Sequence, residues 1–186
     1  MNSMLWILGA IVLIALWIML KYNSFVILRN RIENAWAQID VELKRRYDLI
    51  PNLIDAVKGY MKYEKEVLES VTNARTAAMQ AKTPAASGPA EDKLTQAVHN
   101  IFAMMENYPD LKANENVLKL QEELTTTENK IAFSRQFYND IVMRFNQSIQ
   151  TFPSSLIANI FGFKAKEYFE VDQQQVKDAP KVDLSI

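Results

Sequence analysis

An uncharged, strongly apolar stretch at the N-terminus constrains this chain more than any other feature of its sequence. Residues 4–20 (MLWILGAIVLIALWIML) contain no ionisable side chain, and about 20 such residues in a helix cross the roughly 30 Å hydrocarbon core of a bilayer. Trp6 near one end, and Trp17 and Tyr22 near the other, suit the headgroup regions, which favour amphipathic rings. The sequence therefore predicts a transmembrane anchor over residues 1–21. The anchor residues are Met4, Leu5, Trp6, Ile7, Leu8, Gly9, Ile11, Leu13, Leu16, Trp17 and Leu20.

The charges around this segment favour a retained anchor over a cleaved signal peptide. A signal peptide begins with basic residues and ends in small residues at its cleavage site, whereas the first basic residue here is Lys21, after the span. Further basic residues follow at Arg29, Arg31 and 44–46. Because positive charge is retained on the cytoplasmic side, we expect the N-terminus outside and the helical domain in the cytoplasm.

Composition favours helices and argues against several classes of function. The 186 residues include 4 Gly and 6 Pro, which suits long helices better than turn-rich sheets. A formal net charge of −1 gives no electrostatic basis for binding nucleic acid. With no cysteine, a single histidine (His99) and no glycine-rich loop, the sequence indicates no metal ligand, cofactor site or catalytic residue. We therefore expect an all-α protein that is not an enzyme.

Four amphipathic stretches follow the anchor, and apolar residues recur in each at helical spacing. The first begins at Phe25, and the second extends to Lys82. Pro51 leaves two alternatives, a kinked helix that runs straight through or a turn near residues 46–48. We favour the turn, because it places Pro51 in a first helical turn where its missing N–H costs nothing. Segment 82–90, with two prolines and a glycine, is predicted to be a loop.

The third stretch ends near Tyr108-Pro109, and the fourth carries a heptad-like seam from Val117 to Phe152 before Pro153 ends it. Four such helices with short connections predict a single N-terminal transmembrane helix followed by an antiparallel, up-down-up-down bundle over residues 22–152.

Two polar clusters are candidates for a network within this bundle or between oligomer subunits. One lies within residues 40–48, and the other lies along the fourth helix, where Arg135 and Asn139 adjoin the apolar seam. Most of these side chains should form a solvated face, but a partly buried network would fix the register between helices or subunits. The candidates are Asp40, Lys44, Arg45, Arg46, Asp48, Glu123, Arg135, Asn139 and Asn146.

The short amphipathic segment of residues 153–171 combines apolar side chains with Lys164 and Lys166. In the predicted topology the fourth helix returns towards the membrane, so this segment should lie close to the bilayer. Its apolar side chains either contact the membrane surface or cap the end of the bundle core. They are Leu156, Ile157, Ile160, Phe161 and Phe163. Residues 172–186 are predicted to form a polar tail.

Three blocks of the sequence are distinctive. They are Tyr22-Asn23 with residues 29–60 (RNRIENAWAQIDVELKRRYDLIPNLIDAVKGY), residues 120–146 (LQEELTTTENKIAFSRQFYNDIVMRFN), and Phe152-Pro153 with Phe161-Gly162-Phe163. In these blocks the chain resembles the LemA family of bacterial membrane proteins. The resemblance implies a bacterial inner-membrane protein with one N-terminal span and a helical bundle. It implies no catalytic activity.

These observations support two hypotheses about function. The first is a membrane-anchored, self-associating scaffold or adaptor without catalytic activity, because long amphipathic helices with an extended seam are typical of proteins that associate through helix packing. The alternative is a membrane-organising or membrane-remodelling oligomer that uses the anchor and the C-terminal amphipathic segment. The expected partners are the lipid bilayer, further copies of the chain and other membrane proteins, and not nucleic acid.

Overall fold

The computed structural model describes residues 2–169, and within them every element of regular secondary structure is a helix. The helices are α1 (Asn2–Val57), α2 (Lys65–Gln80), α3 (Pro84–Met105), α4 (Pro109–Lys112), α5 (Glu115–Gln150) and α6 (Ser154–Ile160). The all-α class is confirmed. The predicted polar tail, residues 172–186, lies outside the described residues.

The chain divides into two compact units, and the two longest helices contribute to both. Unit 1 contains Met1–Val41 and Ile131–Tyr168. Unit 2 contains Glu42–Lys130 and, at the end of the described residues, Phe169.

The N-terminal part of α1 fits a single-pass membrane anchor. It is the one helix among residues 2–169 that is long and apolar enough to cross a bilayer, and its apolar window is uncovered by other parts of the chain. Residues 3–16 are all exposed, including Trp6 at 80%. A run of fully exposed large apolar side chains is expected where lipid is the solvent.

In unit 1, α1 and α5 run in opposite directions. The ring of Trp36 on α1 lies 5.7 Å from that of Tyr138 on α5. Phe25, which precedes Trp36 on α1, and Phe145, which follows Tyr138 on α5, both contact Phe163. Each helix buries one face, as its sequence period predicts. The buried residues include Phe25, Ile32, Ala35 and Ile39 on α1 and Ile131, Tyr138, Ile141, Val142, Phe145 and Ile149 on α5.

Unit 2 has its own apolar core, in which α2 packs against α3. The fully buried side chains in this core come from every helix of the unit. They include Ile50, Leu53, Val57, Met61, Val71, Leu94, Val98, Ile101, Leu111, Val117 and Leu124. Most of the seam predicted for the fourth helix is thus buried in both units, but Phe152 at its end is exposed, and α5 ends at Gln150, close to the predicted end.

The turn that we favoured near residues 46–48 is wrong, because α1 continues through Pro51 to Val57. Pro51 has no N–H to donate to the carbonyl oxygen of Tyr47, four residues earlier, as a helix requires. The Nε–H of Arg75, on α2, donates to that oxygen instead at 2.8 Å. The helix therefore keeps its apolar phase across the proline, and Leu53 is fully buried.

The loop predicted for segment 82–90 is also wrong, because α3 begins at Pro84. Thr83 is the N-cap, and its side-chain oxygen accepts a hydrogen bond from the Ala86 amide at 3.3 Å. Pro84 occupies the first helical position, where its fixed φ suits the helix and its missing N–H costs nothing. Ser87 and Gly88 are both buried, which explains why small residues occupy this stretch.

Replacing Arg75 tests whether its hydrogen bond allows α1 to pass Pro51. Arg75→Leu deprives the Tyr47 carbonyl of this donor and should lower the free energy of unfolding by about 1.5–3 kcal/mol, typical of a hydrogen bond to a charged group. In a Pro51→Ala background the new backbone amide supplies the missing bond, so the same change should cost less. Urea unfolding of the four detergent-solubilised proteins gives the coupling energy. Equal costs in the two backgrounds would contradict this role for Arg75.

Candidate functional site

An aromatic cluster in unit 1 joins the C-terminal segment to α1 just beyond the anchor. The ring of Phe161 lies 4.8 Å from that of Tyr22. Phe163 is the centre of the cluster, with ring centroids 5.8 Å from Tyr22, 5.2 Å from Phe25 and 6.4 Å from Phe145. Tilted and edge-on contacts at such distances are favourable for aromatic rings beyond the area that they bury.

Gly162 gives the chain the conformation that positions both phenylalanines. It follows α6 with φ +72°, in the left-handed region that favours glycine. The Phe163 amide donates to the Ala158 carbonyl at 2.9 Å, and the Gly162 amide donates to the Asn159 carbonyl at 3.3 Å. This pair of bonds is a Schellman motif, which satisfies carbonyls at the end of α6 and reverses the chain.

The segment after Phe163 is held along α5 by side chains that bond its backbone. Asn146 donates from Nδ2 to the Lys166 carbonyl at 2.9 Å and accepts from the Lys166 amide at 2.8 Å. The Tyr138 hydroxyl donates to the Glu167 carbonyl at 3.0 Å. Burial, with a smaller contribution from the Glu167 charge, raises the pKa of Tyr138 to about 12, so this phenol remains a donor at neutral pH.

The structure divides the residues considered for membrane contact into two groups. Ile157 is buried and Phe163 is half-buried, so these two side chains cap the core of unit 1. Leu156, Ile160 and Phe161 are 55%, 78% and 51% exposed. Capping of the core is therefore the interpretation that fits Ile157 and Phe163, and contact of the exposed side chains with the membrane surface stays a prediction.

A second candidate site is a buried ion pair in unit 2. Arg46, on α1, lies 3.4 Å through Nη1 from Oε2 of Glu91, on α3, and both side chains are buried. Nη2 of Arg46 donates to the Thr95 hydroxyl at 2.8 Å, and the Tyr47 hydroxyl donates to Oε1 of Glu91. Each carboxylate oxygen of Glu91 therefore has a donor, as a charge removed from water requires.

The other predicted network residues do not share this buried site. Arg45 and Glu123 lie 3.5 Å apart, but about half of each side chain is exposed. In unit 2, Lys44 and Asp48 are exposed. The remaining candidates belong to unit 1: Asp40 is exposed, Arg135 and Asn139 are partly buried, and Asn146 holds the C-terminal segment as described. Partial burial raises the pKa of Asp40.

Sequence reasoning missed Glu91, Thr95 and Tyr47, although a signal was present. Glu91 lies in phase with the buried residues Leu94 and Val98, at steps of three and four. Arg46 likewise lies in phase with the buried residues of α1. A charge at an apolar position of one helix indicates a buried partner of opposite charge, because an unpaired buried charge is prohibitively costly.

A cleft of about 340 Å³ lies between α1 and α5 within unit 1. Leu28, Ala35, Phe137 and Ile141 contribute its apolar surface, while polar side chains line the rest. The polar and charged lining residues are Arg31, Asn34, Gln38, Asp140 and Arg144. Across residues 2–169 no group of three or more His, Cys, Asp or Glu side chains is arranged to hold a metal ion.

Comparison with known proteins identifies relatives of this chain. The LemA family model matches residues 35–184. Protein LemA of Metamycoplasma hominis is 30% identical over 163 residues, which cover 82% of this chain and 73% of that protein. Magnetosome protein MamQ 2 of Paramagnetospirillum magneticum is 23% identical, and magnetosome protein MamQ of Magnetospirillum gryphiswaldense is 21% identical. The alignments cover 82% of this chain but 66% and 65% of those two proteins.

The fold and these sites define a class, that of helical proteins with an N-terminal apolar helix suited to a single membrane span. Within that class the residues matched by the family model include both the buried ion pair and the aromatic residues of the C-terminal segment. The chain belongs to the LemA family.

The neighbouring residues Arg45 and Arg46 form one exposed and one buried ion pair. Neutralising the carboxylate of each pair compares their contributions to stability. Glu91→Gln leaves the charge of Arg46 buried without its counter-ion and should lower the free energy of unfolding by about 3 kcal/mol or more. Glu123→Gln, the matched control, removes the exposed partner of Arg45 and should cost less than about 1 kcal/mol. Chemical unfolding of both variants in detergent measures the difference. Similar costs would show that the buried pair has no special structural importance.

Alanine substitutions at Gly162 and Gly59 test whether the positive φ of Gly162 requires glycine. A Cβ at Gly162 or at Gly59 would meet no atom within 4 Å, but only the former of these two has positive φ. Gly162→Ala should therefore lower the free energy of unfolding by about 1–2 kcal/mol, whereas Gly59→Ala should be neutral or raise it by up to about 1 kcal/mol. Thermal unfolding in detergent is the measurement. Equal effects would argue against the assigned role of Gly162.

Proposed function

We propose that this protein is a membrane-anchored helical scaffold or adaptor that associates with copies of itself and has no catalytic role. The observation that carries the proposal is a pair of exposed aromatic side chains on α5 in unit 1. Phe133 and Phe137 lie one turn apart on α5 and are 72% and 47% exposed. Exposed aromatic side chains grouped on one helix face are typical of protein interaction surfaces.

One face of α1 in the same unit is also exposed and carries both apolar and polar side chains. Ile27, Arg31, Asn34, Gln38 and Val41 are all exposed and follow one another at steps of four and three residues. This spacing places them on one face of α1, with apolar residues at its ends and polar residues between. Three of them line the cleft, as do Phe137, Asp140 and Arg144 from α5.

The charges of this surface favour self-association. A two-fold interface brings the same patch of each copy together, so a patch that associates with itself needs complementary groups within it. The cleft presents both signs, with Arg31 and Arg144 on one hand and Asp140 on the other. Anchors inserted in the same direction would also present these patches at one height above the bilayer, which favours encounter between copies.

Within this proposal, the helices of the domain form the antiparallel up-down-up-down bundle expected from the sequence. The protein resides in the bacterial inner membrane, with the N-terminus outside and the helical domain in the cytoplasm. The support for this orientation is the series of basic residues after the span, beginning at Lys21.

Aspartates on the exposed phenylalanines should separate the copies. Full-length protein in mild detergent is expected to be larger than a monomer, and Phe133→Asp with Phe137→Asp should weaken association at least about a hundredfold, because two apolar anchors are lost and charges are introduced. Met79→Asp with Leu118→Asp, at the comparably exposed apolar residues 79 and 118, is the matched control. Light scattering coupled to size-exclusion chromatography gives the mass. A strict monomer, or equal effects of the two pairs, would count against self-association through this surface.

Single cysteines report the orientation, because the chain has no cysteine of its own. A membrane-impermeant maleimide added to spheroplasts should label Ser3→Cys and should label Tyr63→Cys only after lysis. Both positions are exposed, Tyr63 at 95%. Labelling in the reverse pattern would place the helical domain outside the cytoplasm.

A further inference from the structure

The C-terminal part of unit 1 carries an apolar face that no other described part of the chain covers. Leu156 and Ile160 lie one turn apart on α6, Phe161 follows directly, and Phe152 precedes the helix by two residues. We call these four side chains the α6 face. Each is at least half exposed, with Phe152 at 76%. On the opposite side of α6, Ile157 and Ala158 are buried. The helix therefore has one buried and one exposed face, and both carry apolar side chains.

The position of this face relative to the anchor indicates its surroundings. Phe161 stacks against Tyr22 at 4.8 Å, and Tyr22 lies two residues beyond Leu20, which is about 3 Å along a helix. Partial burial of α1 begins before Tyr22, since Trp17 and Ile18 are partly buried while residues 3–16 are exposed. The end of the α6 face that contains Phe161 therefore lies at the level where the apolar span ends.

Basic side chains lie beside the same face. Lys21 ends the span, and Lys164 is exposed two residues after Gly162. An apolar face with flanking lysines suits the boundary between acyl chains and anionic headgroups, where aliphatic side chains leave water and ammonium groups meet phosphate.

We propose that the α6 face is a second, interfacial contact of this protein with the bilayer. Its apolar side chains lie in the boundary between acyl chains and headgroups, and Phe161 joins this contact to the end of the anchor. The membrane is favoured over a second copy because every anchored chain places this face at the edge of the hydrocarbon, whether or not chains associate. The proposal is therefore independent of self-association.

Site-directed spin labelling of the full chain in lipid vesicles tests this contact. Labels attached to Ile160→Cys and Glu33→Cys report two exposed side chains of unit 1, and Glu33 is not part of the surface proposed for self-association. Glu33 lies eleven residues, or about 16 Å, along α1 beyond Tyr22. The label at position 160 should collide more with oxygen, which concentrates in lipid, than with a water-soluble nickel complex. The label at position 33 should show a lower ratio.

The outcomes separate the occupants of the α6 face. A ratio at position 160 no higher than at position 33 would overturn the proposal, because the face would then be in water. Low access to both reagents, with magnetic broadening between labels that disappears on dilution with unlabelled protein, would also overturn it, because a second copy would then cover the face.

A charge at the α6 face gives a second measurement with its own control. With the label at Leu156→Cys, Ile160→Asp should lower the ratio of oxygen to nickel collisions, because the carboxylate draws the face out of the lipid. Asn159→Asp adds the same charge at an adjacent exposed residue outside the α6 face and should lower the ratio less. Circular dichroism and the unfolding midpoint establish that each variant is folded. Equal loss in the two folded variants would contradict a contact made by the α6 face.

Discussion

The carbonyl oxygen of Tyr47 is the point on which the continuity of α1 depends. Pro51 has no amide hydrogen for it, and an unsatisfied carbonyl inside a helix would favour a break there. The guanidinium of Arg75 supplies the hydrogen bond from α2. Because α1 therefore continues to Val57, the same helix that begins in the apolar segment also contributes to the core of unit 2.

Tyr47 joins three helices of unit 2 through two different groups. Its backbone carbonyl accepts from Arg75 on α2, and its phenol donates to Glu91 on α3. Arg46, its neighbour on α1, forms an ion pair with the same carboxylate. Buried ionic groups contribute little net stability compared with apolar packing, but they penalise any arrangement in which their partners are displaced. Specific packing of α1 against α2 and α3 is the expected consequence.

The sequence was sufficient where a regular period extended over many residues and insufficient where a single distant contact decided the outcome. The apolar span was predicted from its length and lack of charge. The seam of α5 was predicted from its spacing, since burial follows a regular period directly. Pro51 was misread because the donor to Tyr47 lies 28 residues away in sequence. Segment 82–90 was misread because Thr83 and Pro84 can begin a helix as readily as they can interrupt one. For Phe161 and Phe163, the positive φ of Gly162 determines which ring faces the core.

The length of the apolar segment limits how the protein can stand in a bilayer. Residues 4–20 form about 25 Å of helix, slightly less than the roughly 30 Å of a typical hydrocarbon core. A span that is shorter than the bilayer gains nothing by tilting, so an upright anchor with local thinning of the lipid is favoured. Since α1 is continuous beyond Leu20, an upright anchor also directs the part of α1 in unit 1 along the membrane normal. Bilayer thickness would therefore set the angle at which this unit stands on the membrane.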